Sequence, residues 1–135
     1  MKVLTYLLYY GYVITLVLAG AWGVFFAAFD QRVLFHLDVQ ALAPITAASL
    51  VSQYRFLRAV EFGFGAFSVV YRREIFTRYG FNRLFLTTMG FGVAARVASL
   101  ILDGPPLPVF NFFLIYELVS IISIYAYSRR TLEKA

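Results

Sequence analysis

Six polar side chains lie within long apolar stretches or at their ends, and they are the residues of this sequence that could do chemistry. An arginine guanidinium can hold an anion, and a glutamate in an apolar setting can bind or relay a proton. If the stretches cross a bilayer, a charge at its centre costs at least ~2.5–3.5 kcal/mol, so each needs a partner or a function. The six candidates are Arg58, Glu61, Arg96, Ser99, Asp103 and Glu117.

The spacing of these candidates predicts that they face the inside of a helix bundle. Arg58 and Glu61 are three residues apart. Ser99 and Asp103 follow Arg96 at i+3 and i+7. With a rise of ~1.5 Å per residue, Glu61 and Glu117 each lie ~15 Å from the end of their stretch, near the middle of a bilayer. We therefore expect one cluster in the outer half of the bundle, in which Arg96 pairs with Glu117.

The cluster has three interpretations. Two arginines and two glutamates could neutralise one another and fix the register of the helices, with little net stability. Alternatively, the cluster could be a polar pocket, in which a glutamate binds or relays a proton or an arginine holds an anionic head group. The third interpretation is a contact with another protein subunit.

The composition indicates that the elements holding these residues lie in a membrane. Hydrophobic residues make up 61% of the 135 residues and charged residues 14%, whereas a soluble domain is about a quarter charged. So short a chain cannot bury that much apolar surface in water, which argues against a soluble enzyme. Without cysteine and with His36 as the single histidine, no haem, zinc or iron–sulfur site is expected. Bound lipid, quinone or pigment remains open as a cofactor.

Four stretches are long enough to span a bilayer, which takes about 20 apolar residues. Pro44 suits a helix start, and Asp103-Gly104-Pro105-Pro106 is a strong signal for the end of a helix. The sequence predicts an all-α integral membrane four-helix bundle that forms one domain over residues 1–135. Its helices are expected at about 3–29, 45–71, 82–102 and 107–127.

The single sizeable outer loop is expected between the first two helices, at residues 30–44. Its apolar residues could form a short helix on the membrane surface, or a lid over a site between the helices. These residues are Val33, Leu34, Leu37 and Leu42.

The basic residues predict the orientation, because cytoplasmic loops are rich in lysine and arginine. With both termini cytoplasmic, eight of the twelve basic residues lie inside, and only Arg32 and Arg55 lie in the outer regions. Clusters that flank a membrane fit lipid head groups better than nucleic acid, so we expect membrane lipids as partners and no nucleic acid. The eight inner residues are Lys2, Arg72, Arg73, Arg78, Arg83, Arg129, Arg130 and Lys134.

Residues 50–120 resemble a known family. The stretches are Phe56-Leu-Arg58-Ala-Val-Glu61-Phe-Gly63-Phe-Gly65, Ala95-Arg96-Val-Ala-Ser99-Leu-Ile-Leu-Asp103-Gly104-Pro105-Pro106 and Tyr116-Glu117-Leu118. They are similar to the small four-helix bacterial membrane proteins grouped as a domain of unknown function, near the DoxX-like group. The resemblance implies the fold and the bacterial inner membrane, but no reaction. Glu61 departs from the family pattern, which has a small or apolar residue there. The positions that match are Arg58, Arg96, Ser99, Asp103, Gly104, Pro105 and Glu117.

Three functions are compatible with these features. The first is a non-enzymatic accessory or structural subunit of a larger membrane complex, since no HExxH, P-loop or GxSxG motif is found. The second is a binder or transporter of a small hydrophobic or anionic molecule that uses the arginine and glutamate cluster. The third is a lipid isomerase with Glu61 or Glu117 as general acid–base, which requires a glutamate that faces an apolar pocket.

Overall fold

A computed structural model of the chain describes residues 2–132, and every regular element in that range is a helix. This confirms the predicted all-α class. Lys134, one of the basic residues expected on the inner side, lies outside the described residues. The helices are α1 (Lys2–Phe25), α2 (Ala27–Phe35), α3 (Pro44–Val70), α4 (Arg72–Thr77), α5 (Tyr79–Leu102) and α6 (Pro108–Leu132), with a 3-10 turn at Val39–Ala41.

Three of the helices, α1, α5 and α6, are long and apolar enough to cross a membrane. The chain forms two compact units. The first comprises Met1–Tyr12 and Val70–Ala135, and the second comprises Val13–Val69. A fourth spanning helix, cytoplasmic termini and a single domain stay predictions.

Aromatic rings fill the core of the first unit. The ring of Tyr9 lies 5.0 Å from that of Phe76 and 5.4 Å from that of Phe85, measured between centroids. Tyr6 adds a third ring, 4.7 Å from Phe76. Because Ile75 and Phe76 are both buried, the six-residue α4 is held in the unit by these two apolar side chains.

Polar side chains connect α1 to α6 within the first unit. The hydroxyls of Thr5 and Ser123 lie 2.9 Å apart, and Tyr116 donates its hydroxyl hydrogen to the Leu8 carbonyl at 2.9 Å. Gly11 lies directly against the hydroxyl of Tyr116. A side chain at Gly11 would therefore collide with the tyrosine that makes this connection.

Glycines allow α1 and α3 to pack closely in the second unit. A Cβ atom added at Gly20 would lie 2.6 Å from the backbone nitrogen of Phe62 and 2.9 Å from the Arg58 carbonyl oxygen. At Gly65 it would lie 2.8 Å from Cγ2 of Val17. Since real Cβ atoms do not approach backbone this closely, the two helices meet here only because glycine has no side chain.

The first predicted helix, at 3–29, is interrupted in the structure. α1 ends at Phe25, and Phe26 leaves the helical conformation before α2 begins at Ala27. The sequence contains no glycine or proline at this break, so no local signal marked it. The rings of Trp22 and Phe26 stack 4.2 Å apart across it, which indicates that side-chain packing stabilises the bend.

The predicted outer loop at 30–44 contains more helix than expected, because α2 continues to Phe35. His36 ends α2 in a left-handed conformation with φ of 54°, and the Leu37 amide donates to the Gln31 carbonyl at 3.1 Å. Val33 and Leu34 lie within α2, whereas Leu37 and Leu42, the other two residues that could form a short surface helix, lie outside it.

The predicted boundaries of the last two long helices also differ from those in the structure. The predicted helix at 82–102 begins three residues earlier, at Tyr79, and the predicted helix at 107–127 continues to Leu132. Arg129 and Arg130 do not end α6, because arginine is a good helix former and is favourable in a last turn. The segment expected as an inner loop contains α4.

Candidate functional site

A chain of hydrogen bonds joins polar side chains of the second unit. The hydroxyl of Tyr54 donates to Oδ2 of Asp30 at 2.8 Å. The same hydroxyl accepts from Nε and Nη2 of Arg58, at 2.8 and 2.6 Å. Nη1 of Arg58 donates to Oε2 of Glu61 at 2.7 Å. We call this set the α3 network, because three of its members lie on one helix, with Tyr54 and Arg58 four residues apart and Glu61 three further on.

Asp30 is the buried end of the α3 network. Its side chain accepts a second hydrogen bond, from Nε1 of Trp22 at 3.0 Å, and the residue is 6% exposed. Eight residues rise about 12 Å along a continuous helix, so the bend at Phe26 brings Trp22 and Asp30 together. Hydrogen bonds from two donors satisfy both carboxylate oxygens, as a buried charge requires.

Glu61 is the more open end of the α3 network. Its side chain is 37% exposed, compared with 16% for Arg58. The guanidinium of Arg58 also lies 4.8 Å from the centre of the Tyr54 ring. Methylene carbons of the same arginine lie against Gly23. Arg58 is therefore fixed along its whole length, which favours a structural role for this charge.

A second charged pair lies in the first unit, between α5 and α6. Arg96 donates from Nε to Oε2 of Glu117 at 3.0 Å and from Nη2 to Oε1 at 3.3 Å. Two parallel bonds of this kind fix direction as well as distance. The side chain of Glu117 is 13% exposed and that of Arg96 is 34% exposed. This is the pair that the sequence singled out, and its role stays a prediction.

Ser99 and Asp103 form a separate contact at the end of α5. The Ser99 hydroxyl donates to Oδ2 of Asp103 at 2.8 Å, and both residues are exposed. The Asp103 amide donates to the Ser99 carbonyl at 2.8 Å. Gly104 follows with φ of 92°, a backbone conformation that favours glycine. These contacts end the helix, as the predicted stop requires.

The six predicted candidates thus make three contacts: one in the second unit and two in the first. Because Arg58 and Glu61 belong to one unit and the other four candidates to the other, a single cluster of all six stays a prediction. Within residues 2–132, no group of three or more histidines, aspartates or glutamates could hold a metal ion. The arrangement is suited to fixing helices through paired charges.

Sequence reasoning missed two members of the α3 network, Asp30 and Tyr54, and also Trp22, which donates to Asp30. Asp30 was expected to begin a loop, because it follows the first long apolar stretch. Tyr54 did not stand out among ten tyrosines. One signal was available: Tyr54, Arg58 and Glu61 share one face of a helix at i, i+4 and i+7.

No curated protein and no solved structure matches the chain. The proximity to DoxX-like proteins stays a prediction. A family model described as "Domain of unknown function (DUF4345)" matches residues 6–128, which include all six predicted candidates and the whole α3 network. The resemblance seen in residues 50–120 is thereby confirmed, and the chain belongs to the DUF4345 family.

Proposed function

We propose that this chain is an integral protein of the bacterial inner membrane and an accessory or structural subunit of a larger membrane complex. The main support is the exposed second half of α5. From Phe91 to Leu102, every residue except Val93 and Arg96 is exposed. So large an apolar surface needs either lipid or the helix of another protein to cover it.

Small residues on this part of α5 favour a protein partner over lipid. A Cβ atom added at Gly90 or Gly92 would meet nothing within 4 Å. Ala94 and Ala98, further along the helix, are exposed as well. Contact with lipid tails does not need small residues, whereas close packing between membrane helices does. No residue of the described chain makes use of the space that these glycines leave.

The proposed placement includes α3 as a fourth spanning helix, with both termini in the cytoplasm. At 27 residues α3 is about 40 Å long, more than a bilayer core of about 30 Å. Its charges are compensated within the second unit: Arg58 pairs with Glu61, and Arg55 donates to the Val24 carbonyl at 3.2 Å. This compensation lowers the cost of placing α3 in lipid.

A second candidate is a binder of a small hydrophobic or anionic molecule, and Arg96 is the observation that favours it. A guanidinium has five N–H donors, and Glu117 accepts two of them. The side chain of Arg96 is also one-third exposed. The isomerase is not proposed, because Glu61 and Glu117, its two candidate acid–base residues, are each paired with an arginine.

The test is native purification in a mild lipid-preserving detergent, followed by mass spectrometry of everything that remains bound. We expect protein partners in a fixed ratio, and we expect Gly92→Leu to reduce their yield because it fills the open face of α5. Gly80→Leu is the matched control, since Gly80 lies on the same helix and is also open.

The outcomes separate the two candidates. If the chain comes off alone and retains a lipid or quinone, the binding hypothesis replaces the subunit hypothesis. If partners remain bound equally to wild type, Gly92→Leu and Gly80→Leu, then α5 is not the contact. A bare chain without partner or ligand contradicts both candidates.

A further inference from the structure

Exposed basic residues collect at one end of the first unit. Seven are described there, all on the surface, and Glu74 is the one acidic residue among the described residues of this end. We call this surface the basic face. Its members are Lys2, Arg72, Arg73, Arg78, Arg83, Arg129 and Arg130.

Ring contacts bring three of the contributing helices together at this end. The ring of Tyr6 lies 4.7 Å from Phe76 of α4 and 5.8 Å from Tyr127 of α6. The rings of Phe76 and Tyr127 are 5.9 Å apart. Lys2 lies about one turn before Tyr6, and the two arginines of α6 lie within one turn after Tyr127. The start of α1, the helix α4 and the end of α6 therefore share one end of the unit.

α4 holds the centre of the basic face in place. Ile75 and Phe76 are buried, whereas Arg72 and Arg73 on the same helix are exposed. Nδ2 of Asn82 donates to the Ile75 carbonyl at 2.9 Å, which ties α4 to α5. The arginines of α4 thus project from a fixed helix and not from a free loop.

We propose that the basic face binds the phosphate groups of anionic phospholipids. Among the residues that the structure describes at this end, seven are basic and one is acidic, a balance that is complementary to phosphodiester head groups. Clusters of four to eight basic residues beside membrane helices are typical of anionic lipid binding. The inference rests on the membrane placement proposed above, but not on a protein partner. It goes beyond the use of basic residues to predict which loops are cytoplasmic, because it predicts that the chain binds some lipids in preference to others.

The test uses the full chain reconstituted in nanodiscs of phosphatidylcholine and phosphatidylglycerol in equal amounts. Native mass spectrometry measures the ratio of the two lipids that remain bound. We expect enrichment of phosphatidylglycerol over its share of the disc. R72Q/R73Q and R129Q/R130Q should each reduce that enrichment, by about fivefold for each arginine removed.

Two controls separate charge from folding. Arg32→Gln removes an exposed arginine of the second unit, outside the basic face, and should leave the enrichment unchanged. R72K/R73K keeps the charge and should preserve most of the enrichment. For the wild type, the enrichment should decline as salt rises, because exposed charges are screened over about 10 Å at 0.1 M and about 3 Å at 1 M.

Several results would overturn the proposal. The wild type could retain the two lipids in the proportion of the disc, or the double variants could behave like Arg32→Gln. Displacement of phosphatidylglycerol by inorganic phosphate would instead indicate a site for free phosphate. Failure of the chain to enter nanodiscs at all would contradict the membrane placement as well, which distinguishes the two proposals.

Discussion

The hydroxyl of Tyr54 connects opposite charges in the second unit. It donates to Asp30 and accepts from Arg58, so one oxygen atom takes part in three hydrogen bonds. Tyr54 is 8% exposed and Asp30 is 6% exposed, so water has little access to replace these bonds. A buried polar group without a partner costs more than a hydrogen bond gains, which makes this hydroxyl a sensitive position.

Removing that hydroxyl should destabilise the protein. We expect Tyr54→Phe to lower the free energy of unfolding by about 1–3 kcal/mol, because Asp30 loses a donor and Arg58 loses an acceptor. Denaturant unfolding in mixed micelles, followed by circular dichroism, measures the change. Tyr79→Phe is the matched control, because Tyr79 is 68% exposed and its hydroxyl should contribute little.

A double-mutant cycle of Tyr54→Phe with Asp30→Asn tests whether the two side chains act together. Residues in one network couple by about 0.5–3 kcal/mol, so the two losses should not add. Additive losses, or a Tyr79→Phe loss as large as that of Tyr54→Phe, would contradict the role assigned to the α3 network.

The candidate site could be predicted in part, because charges inside apolar stretches stand out. Arg96 and Glu117 were recognisable for this reason, and their depths on neighbouring helices suggested the pair. Asp30 was not recognisable, because its burial depends on a bend at Phe26 that turns it back towards Trp22. Burial produced by tertiary packing leaves no mark on the local sequence.

At the scale of helices, the contact between α1 and α3 depends on the absence of a side chain at Gly20. Its neighbours there are backbone atoms of Arg58 and Phe62, which cannot rotate away. Gly63, on α3, provides a comparison, because a Cβ atom added there would meet nothing within 4 Å. The two glycines differ in surroundings but not in residue type.

Alanine substitutions at these glycines should therefore have opposite signs. Gly20→Ala should lower the free energy of unfolding by about 1–3 kcal/mol, because the helices must separate. Gly63→Ala should raise it by up to about 1 kcal/mol, because alanine favours helix more than glycine does. The same micelle unfolding experiment measures both, and equal effects at the two positions would show that α1 and α3 do not meet at Gly20.

Helix positions were predictable from the sequence to the extent that apolar runs and strong stops defined them. The end of α5 at Leu102 was predicted to the residue, because Asp103-Gly104-Pro105-Pro106 cannot continue a helix. The six-residue α4 was missed, because it is too short to show a periodic pattern and its arginines resembled a charged loop. The end of α6 was missed because arginine does not stop a helix.

For the whole molecule, the proposed membrane placement depends on whether α3 spans the bilayer. Length and composition identify α1, α5 and α6 as candidate spans. α3 is the longest helix but carries Arg55, Arg58 and Glu61. With three spans the two termini would lie on opposite sides of the membrane, whereas four spans would place both on the same side. The proposal of four spans rests on the paired charges of the α3 network, because ionisable residues within membrane helices are usually paired with one another.

Single-cysteine labelling tests the number of spans, and the chain suits it because it contains no cysteine of its own. Gln40→Cys and Pro106→Cys lie at exposed positions expected outside, and Gly80→Cys lies at an exposed position expected inside. A membrane-impermeant maleimide should label the first two in intact spheroplasts, and Gly80→Cys only after permeabilisation. Labelling of Gln40→Cys and Gly80→Cys from the same side would mean that α3 does not cross, since α3 and α4 are the helices between them. The basic face would then have to be reassigned to a leaflet from the side on which Gly80→Cys reacts.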